Sequence, residues 1–403
     1  MKRTLINIIS LLTLIALIAS VAGCSSAQTS PGNSTSTPTT ATTVITGNTA
    51  AANPESPDTA ELLSNRDLEQ TADLSAATQL TLESGTDVTL SIAGIYVLQG
   101  NVADVTIVIE APDDAKIQLV LDGVSISNTA SPAIYVKTAD KVFITTTNSE
   151  NTMSVSGSYT ADGETNLDAV IFSKADLTLN GLGLLQIQSA RSNGIVSKDD
   201  LVITGGTYEI QAAADGLEAQ DALLISNGTL SINSGKDALH CENAEDASLG
   251  YILISGGTID ITAADDAIRG NSRVRIDGGT INITSCTEGI EANFITINNG
   301  QITLFARDDG INATQKVSGE VGIVVNGGSI NMSIGSGDTD GFDSNGTITI
   351  NGGTINIEAV SAFDSNGTAT LNGGDVTVNG TKITQIIQTQ PGGGPGGGGR
   401  PRR

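Results

Sequence analysis

Aromatic side chains are scarce in this sequence of 403 residues, which has no tryptophan, five tyrosines and six phenylalanines. Proteins that hold a flat polysaccharide surface on stacked rings need more exposed aromatic area than this composition offers. The single histidine, His240, has no serine or cysteine partner with which we can assemble a hydrolytic triad. Ligand recognition is therefore expected to be polar.

Basic residues are also few, with 19 lysines and arginines against 44 aspartates and glutamates and a formal net charge of −25. Such a charge repels nucleic acid and anionic membrane surfaces, so nucleic acid is excluded as a partner. It also opposes compaction unless cations reduce the repulsion. Three cysteines are present, and we interpret Cys241 and Cys286 as small buried residues rather than as a disulfide.

The N-terminus has the pattern of a lipoprotein export signal. Lys2 and Arg3 precede an apolar run over residues 5–19, and small residues lead to Cys24. The run is shorter than the roughly 20 apolar residues of a transmembrane helix. We therefore predict a signal peptide over 1–23 and lipid attachment at Cys24, which would hold the protein outside the cytoplasm on a membrane or cell surface.

Composition divides the remainder into three parts. Residues 24–77 are rich in serine, threonine, alanine and proline, which predicts a disordered tether. Residues 390–403 are mostly glycine, proline and arginine and are predicted to be a disordered tail. The folded domain is thus expected over 78–389.

A repeat of 21–29 residues runs through this domain. Each copy has two alternating apolar residues, a Gly-Gly or Asn-Gly pair, two more alternating apolar residues and a short acidic turn. Alternation with period two indicates strands with one buried face, and turns this short cannot bury that face alone. We predict an all-β fold, a right-handed single-stranded parallel β-helix of about eleven turns, with Tyr208 inside. The second glycine of the pair recurs at Gly206, Gly228, Gly257, Gly279, Gly300, Gly328, Gly353 and Gly374, and an asparagine ladder is predicted at Asn326, Asn351 and Asn372.

The acidic turns align into two columns. Carboxylates stacked about 5 Å apart repel by roughly 1 kcal/mol per pair in water, and more at low dielectric. Either their pKa values rise or a cation lies between the turns. The first column holds Asp215, Asp237, Asp266, Glu288, Asp309 and Asp340, and the second holds Glu218, His240, Arg269, Glu291, Asn312, Asp343 and Asp364.

Hard oxygen ligands of this kind suit Ca²⁺, which takes six to eight oxygens in irregular geometry. The competing interpretation is that aspartate and glycine simply favour turns. The candidate calcium ligands form a first group of Asp338, Asp340, Asp343 and Asp364, a second of Glu288, Glu291, Asp308 and Asp309, and a third of Asp215, Glu218 and Asp237, with Asp265 and Asp266 beside them.

Four stretches resemble a known family of bacterial carbohydrate-binding β-helix proteins, first noticed at clostridial cell surfaces and related in fold to pectate lyases. They are residues 133–137 (AIYVK), 193–201 (NGIVSKDDL), 215–217 (DGL) and 340–346 (DGFDSNG). The resemblance covers roughly residues 91–380. It implies a right-handed β-helix, bound calcium, and recognition of plant-wall or acidic polysaccharide without known turnover.

Three classes of function stay open. The first is a monomeric, calcium-dependent carbohydrate-binding lipoprotein without catalytic residues. The second is a pectate-type polysaccharide lyase, for which Arg269 is the best-placed base, although a counter-charge within the acidic column is the simpler role for it. The third is a surface adhesin or spacer whose β-helix is purely structural.

Overall fold

A computed structural model describes residues 62–337 and 339–387 of the chain. The predicted signal peptide, Cys24, the tether up to residue 61, the tail over 390–403 and Asp338 lie outside the described residues. Within the described ranges, no helix has both the length and the apolar character needed to cross a membrane.

The described chain is a parallel β-solenoid of about twelve turns, which confirms the predicted fold class with one turn more than expected. Successive turns stack strand on strand, and their strands form three faces that we call A, B and C. Face A is a sheet of twelve strands, and faces B and C belong to one sheet of twenty-four.

Each turn passes through the faces in a fixed order. Face A comprises β2 (Val88–Leu90), β4 (Ile107–Glu110), β6 (Ile134–Thr138), β9 (Ala169–Ser173), β12 (Asn193–Ser197), β15 (Leu217–Ala219), β18 (Leu239–Cys241), β21 (Ile268–Gly270), β24 (Ile290–Ala292), β27 (Ile311–Ala313), β30 (Asp340–Ser344) and β33 (Ser361–Ser365). Face B comprises β7 (Lys141–Thr146), β10 (Asp176–Gly181), β13 (Leu201–Ile203), β16 (Ala222–Ile225), β19 (Tyr251–Ile254), β22 (Arg273–Ile276), β25 (Phe294–Ile297), β28 (Gly322–Val325), β31 (Thr347–Ile350) and β34 (Ala369–Leu371). Face C comprises β8 (Glu150–Val155), β11 (Leu184–Ser189), β14 (Thr207–Ala212), β17 (Thr229–Ser234), β20 (Thr258–Ala263), β23 (Thr280–Cys286), β26 (Gln301–Ala306), β29 (Ser329–Ile334), β32 (Thr354–Glu358) and β35 (Asp375–Val378).

The remaining strands lie at the two ends of the sheet that carries faces B and C. They are β1 (Thr78–Thr81), β3 (Gly94–Ala103), β5 (Lys116–Asn128) and β36 (Thr381–Ile383). β5 is long enough to pair with both β7 and β8, so it joins the two faces. β36 turns back to pair antiparallel with β35 at the C-terminal end, which covers part of an otherwise unpaired edge.

Stacked branched side chains fill the interior. On face C, Ile232, Ile261 and Ile283 lie above one another in register, each with at most 2% of its surface exposed, while the residues between them along each strand point outward. Full burial of one such side chain contributes about 1.5–3 kcal/mol. The period-two pattern in the sequence thus reports directly which side chains face inward.

The corner between faces B and C explains the recurrent glycine pair. The second glycine has a left-handed backbone, with φ of +90° at both Gly257 and Gly279. A Cβ at Gly279 would lie 3.0 Å from the carbonyl oxygen of Gly256, so a side chain there meets both strain and crowding.

The predicted asparagine ladder is also present. The Asn326 amide donates to Asn298 at 2.7 Å, Asn351 donates to Asn326 at 2.8 Å, and Asn372 donates to Asn351 at 2.9 Å. Cys241 and Cys286 are free and buried, and Tyr208 is 1% exposed in the interior, all as predicted.

Residues 62–77, which we call the N-terminal strap, are structured, although their composition placed them in the tether. The strap contains a short helix α1 (Asn65–Leu68) and a 3₁₀ turn (Leu74–Ala76). It lies on the outside of face B, where Leu62 and Leu63 pack against a patch of outward apolar residues that includes Leu224. The predicted tether is therefore too long at its C-terminal end.

One buried ion pair fixes the strap. Asp67 is 1% exposed and lies 2.8 Å from the ammonium of Lys141, and it also accepts hydrogen bonds from Thr178 and Ser64. Burial raises the pKa of Asp67, but these hydrogen bonds outweigh burial and leave the pKa below its usual value. Composition gave no sign of this contact because Lys141 and Thr178 lie far from Asp67 in the sequence.

Candidate metal-binding corner

The acidic turns lie at the corner where the chain passes from face C to face A. The first-column residue comes two positions before the inward residue of the face A strand, as Asp215 does before Leu217. The second-column residue follows the inward residue and points outward. Strand register stacks Glu218, His240, Arg269, Glu291, Asn312, Asp343 and Asp364 in that order, which confirms the predicted second column.

Three first-column carboxylates, those of Asp215, Asp237 and Asp309, accept a hydrogen bond from the backbone of the next turn. One oxygen of Asp215 accepts the N–H of Asp237 at 3.1 Å, and one of Asp237 accepts the N–H of Asp266 at 2.9 Å. Farther along, Asp309 accepts the N–H of Asp340 at 2.7 Å. The interpretation that these aspartates simply favour turns therefore accounts for one carboxylate oxygen of each residue. The second oxygen is left for other contacts.

That second oxygen faces the second-column residue one turn ahead. Asp215 Oδ2 lies 3.3 Å from His240 Nδ1, and Asp237 Oδ2 lies 3.6 Å from Arg269 Nη1. Glu288 Oε2 accepts a hydrogen bond from the Asn312 amide at 3.0 Å. These first-column residues therefore contact the second-column residue of the next turn, and we call any two residues so placed a diagonal pair. The charges of a diagonal pair determine whether it is stabilised by its own cation or contains two carboxylates that repel each other.

In the N-terminal half of the corner, the protein supplies its own cations. Lys198 lies 2.6 Å from Glu218, and Lys316 and Arg269 lie 2.5 and 3.6 Å from Glu291. Burial lowers the pKa of His240, but Asp215 and Asp237 outweigh it and raise the pKa above its usual value. Basic side chains thus lie among Asp215, Glu218 and Asp237, the third candidate calcium group.

In the C-terminal half, the diagonal pairs carry like charges. Burial raises the pKa of Asp309 to about 7, with the carboxylates of Asp343 and Asp308 adding to the effect. Burial likewise raises the pKa of Asp343 to about 6, helped by Asp340 and Asp364. Within the described residues, no basic side chain forms an ion pair with Asp309, Asp343 or Asp364.

Asn312 lies beside this acidic half and has an unsatisfied oxygen. The residue is 7% exposed, its amide nitrogen donates to Glu288, and its buried carbonyl oxygen Oδ1 has no hydrogen-bond partner among the residues that the structure describes. A buried acceptor without a donor costs about 1–3 kcal/mol. A cation bound among these oxygens would remove that cost and the repulsion between the carboxylates together.

Two further acidic groups, which share Asp266, lie between the two halves of the corner. One carboxyl oxygen from each of Asp266, Glu288 and Glu291 falls within 4.8 Å of the others, and so does one from each of Asp237, Asp265 and Asp266. Burial and the carboxylates of neighbouring turns raise the pKa values of Asp266 and Glu288. Both groups contain residues that the sequence had marked as candidate ligands.

The sequence analysis did not predict one acidic cluster, which lies at a different corner, where the chain passes from face A to face B. One oxygen from each of Asp176, Asp199 and Asp200 lies within 4.8 Å of the others. Burial, followed by the neighbouring carboxylates, raises the pKa of Asp199 to about 6 and that of Asp200 to about 7. The signal was available, because Asp199 and Asp200 belong to residues 193–201, one of the stretches that carry the family resemblance, but they fall outside the repeated acidic turn.

Arg269 has the surroundings of a counter-charge. Its guanidinium lies between Asp237 and Glu291 at 3.6 Å from each. Burial lowers its pKa, but the surrounding carboxylates of Asp237 and Glu291 outweigh burial and raise the pKa above its usual value. A lyase base must lose its proton, and this environment makes that loss harder.

Comparison with known proteins fits this architecture. The family model described as carbohydrate-binding domain-containing protein matches residues 84–338 and 286–382. The chain belongs to this family. The match covers most of the solenoid, including both halves of the acidic corner, and agrees with the resemblance seen in the sequence.

A family relative and a solved structure add detail. A carbohydrate-binding domain-containing protein of Acetivibrio thermocellus is 34% identical over 129 residues, which is 31% of this chain and 45% of that protein. The alignment thus spans less than half of the relative. A solved structure described as a polysaccharide lyase-like protein from C. thermocellum, a gadolinium derivative, is 26% identical, with a TM-score of 0.49, and the alignment covers 68% of this chain and 96% of that one.

Proposed function

We propose that this protein is a lipid-anchored, extracytoplasmic carbohydrate-binding protein whose recognition of acidic polysaccharide depends on calcium. Membership of the carbohydrate-binding domain-containing family supports carbohydrate as the ligand class. The calcium requirement rests on the C-terminal half of the acidic corner, and the anchor rests on the sequence around Cys24.

The observation that carries the metal proposal is the buried oxygen of Asn312 beside like-charged diagonal pairs. The candidate donors there are the stacked carboxylates of Asp343 and Asp364, with Asp309 and the Asn312 amide oxygen beside them. These carboxylates are not among the described groups whose oxygens already lie within 4.8 Å of one another, so they would draw together around a bound ion. Such hard, irregularly arranged oxygens suit Ca²⁺, whereas Mg²⁺ demands near-ideal octahedral geometry. Bound calcium would supply positive charge at this corner, and the residues named would hold it.

Calcium also reconciles an acidic protein with an acidic ligand. A uronate polymer is repelled by a chain of net charge −25. A metal ion that shares protein and sugar carboxylates removes this repulsion locally, because the ion's own charge dominates its surroundings. Binding of uronate polymer should therefore fail when calcium is removed.

We propose no catalytic activity and a monomeric state. The carboxylates and amides at the corner are suited to binding a metal ion and a sugar. Arg269, the best-placed candidate for a catalytic base, lies between two carboxylates as a counter-charge. The lipid anchor would supply membrane affinity that a surface of this charge lacks. The protein would then present its solenoid outside the cytoplasm.

The test is a glycan array read with calcium and with chelator. Wild-type protein should bind uronate polymers in calcium and lose them in chelator, and Asp343→Asn should bind them weakly in both. Asp260→Asn is the matched control, because Asp260 is an exposed carboxylate on face C outside the corner. Uronate binding that survives chelation would refute the calcium-bridged account.

A further inference from the structure

The outer surface of face C carries two shallow concavities that adjoin. They have volumes of about 390 and 210 Å³, and both are lined by Gln188 and Gln211. Small residues, including Ala190 and Ala213, line the larger one and leave room beside the strands. Together the concavities form a groove across β8, β11, β14 and β17, which we call the amide groove.

A column of side-chain amides runs along the groove. Strand register places Gln188, Gln211 and Asn233 one above another in three consecutive turns. All three are exposed, and none of their side-chain amides forms a hydrogen bond within the described part of the chain. Each amide thus keeps its donors and acceptor for a ligand or for water.

The asparagine ladder shows that this openness is not a general property of stacked amides here. At the corner between faces B and C, Asn326 and Asn351 donate to the asparagine of the preceding turn. On face C itself, Asn356 donates to Asn331 at 2.8 Å. Stacked amides elsewhere on the solenoid therefore satisfy one another, whereas those in the groove do not.

The lining of the groove carries little charge. Glu209 is the one ionisable residue among its lining residues, and the Gln186 amide donates to that carboxylate at 2.8 Å. The outward lining residues are otherwise amides, hydroxyls and small residues. The groove offers no cation for an anionic sugar, whereas its amides and hydroxyls match the hydroxyl groups of an uncharged glycan and its alanines can contact the sugar ring.

We propose that the amide groove binds one chain of uncharged polysaccharide, which lies along the solenoid axis with its hydroxyl groups bonded to Gln188, Gln211 and Asn233. Successive turns place these amides about 4.8 Å apart, close to the length of one pyranose unit in an extended glycan. The ligand class rests on the proposed carbohydrate-binding function. The site itself is separate from the acidic corner and requires no metal.

The test uses the folded protein and soluble oligosaccharides. We would measure binding of uncharged hexasaccharides, made of β-1,4-linked glucose, xylose or mannose, and of oligogalacturonate by isothermal titration calorimetry. Gln188→Ala with Gln211→Ala should weaken the best uncharged ligand at least tenfold and leave oligogalacturonate binding in calcium unchanged. Asn331→Ala with Asn356→Ala is the matched control, since it removes two amides from the same face in distant turns.

Each outcome decides the proposal. Wild-type binding that resists chelator and fails in the glutamine variant supports it, provided that both double variants keep the wild-type melting temperature. Absence of binding by every uncharged hexasaccharide, or equal affinity in the glutamine variant and the wild type, overturns it. Failure of the calcium-bridged function would appear separately, as loss of oligogalacturonate binding or its independence from calcium.

Discussion

Replacing Asp343 by asparagine should stabilise the calcium-free protein. Burial, then Asp340 and Asp364, raise the pKa of Asp343 from 3.8 to about 6. A carboxyl group whose folded-state pKa exceeds its unfolded value destabilises the fold at pH above the folded pKa, and that penalty is absent below the unfolded value. A shift of two pKa units corresponds to at most on the order of 3 kcal/mol, and solvent screening of this half-buried carboxylate reduces the value. At pH 8 the calcium-free variant should therefore be more stable than wild type by up to this amount.

Calcium should reverse the difference. If Ca²⁺ binds the folded corner and not the unfolded chain, wild type gains about 2.7 kcal/mol at a hundredfold excess of calcium over Kd. Asp343→Asn loses one anionic ligand and one of the charges that attract the ion, so its gain should be much smaller. The interior is unaffected, because Phe342 still fills it at full burial.

The assay is a denaturant or thermal unfolding curve of each protein at pH 8, in calcium and in chelator. Asp260→Asn serves as the control for loss of one surface charge. If the two wild-type curves coincide, the corner holds no calcium. If the calcium-free variant is less stable than wild type, the Asp343 carboxylate is structurally required and the argument from repulsion is wrong.

Three further predictions concern the anchor, the strap and catalysis. Cys24→Ala should leave the protein unprocessed or released from membranes, because lipid would supply its membrane affinity; partition of the variant with salt-washed membranes would contradict this. Asp67→Asn should lower the free energy of unfolding by about 3–5 kcal/mol, since it leaves Lys141 buried without its partner. The pKa of Asp67 is lower in the folded protein than in the unfolded chain, so the Asp67 carboxylate stabilises the fold at pH above the unfolded pKa. This stabilisation is lost as pH falls through the folded pKa. The unfolding curves of wild type and Asp67→Asn should therefore begin to converge below about pH 4. Wild type and Arg269→Ala should both release no unsaturated sugars from uronate polymer, measured by ultraviolet absorbance, and a signal lost in the variant would establish a lyase.

The solenoid could be predicted because its determinants are local and repeated. Alternation at Ile259 and Ile261 marks inward residues, and the glycine pair marks the left-handed corner at Gly257. Once the turns are aligned, parallel register follows by itself, so the stacking of Asp343 on Asn312 was predictable as well. These features need no knowledge of how one face packs on another.

The charge balance of the corner was less accessible. The sequence places Asp237 and Arg269 in different columns, and it does not reveal that the second oxygen of Asp237 points one turn ahead toward that guanidinium. The offset depends on how the corner bends between faces C and A. For the same reason, the contrast between a half with its own cations and a half without them emerged from the structure alone.

The structured strap and the cluster of Asp176, Asp199 and Asp200 were not predicted from the sequence. Asp67 bonds to Thr178, 111 positions away, and nothing in a segment rich in small polar residues marks a buried carboxylate. Asp199 and Asp200 meet Asp176 across one turn, but this corner lacks a repeated acidic pattern to align. Both are tertiary contacts without a periodic signal.

The strap determines where a mechanical load would enter the domain. A pull on the N-terminal side reaches Leu62, Leu63 and Asp67 first, and these residues lie against the strands of face B well inside the solenoid rather than at its first turn. Such a force would act first on the contacts of the strap with face B, and only after their loss on the hydrogen bonds between β1 and β3. A protein that holds a polymer in flowing fluid would resist detachment better through such an attachment than through a free terminal strand.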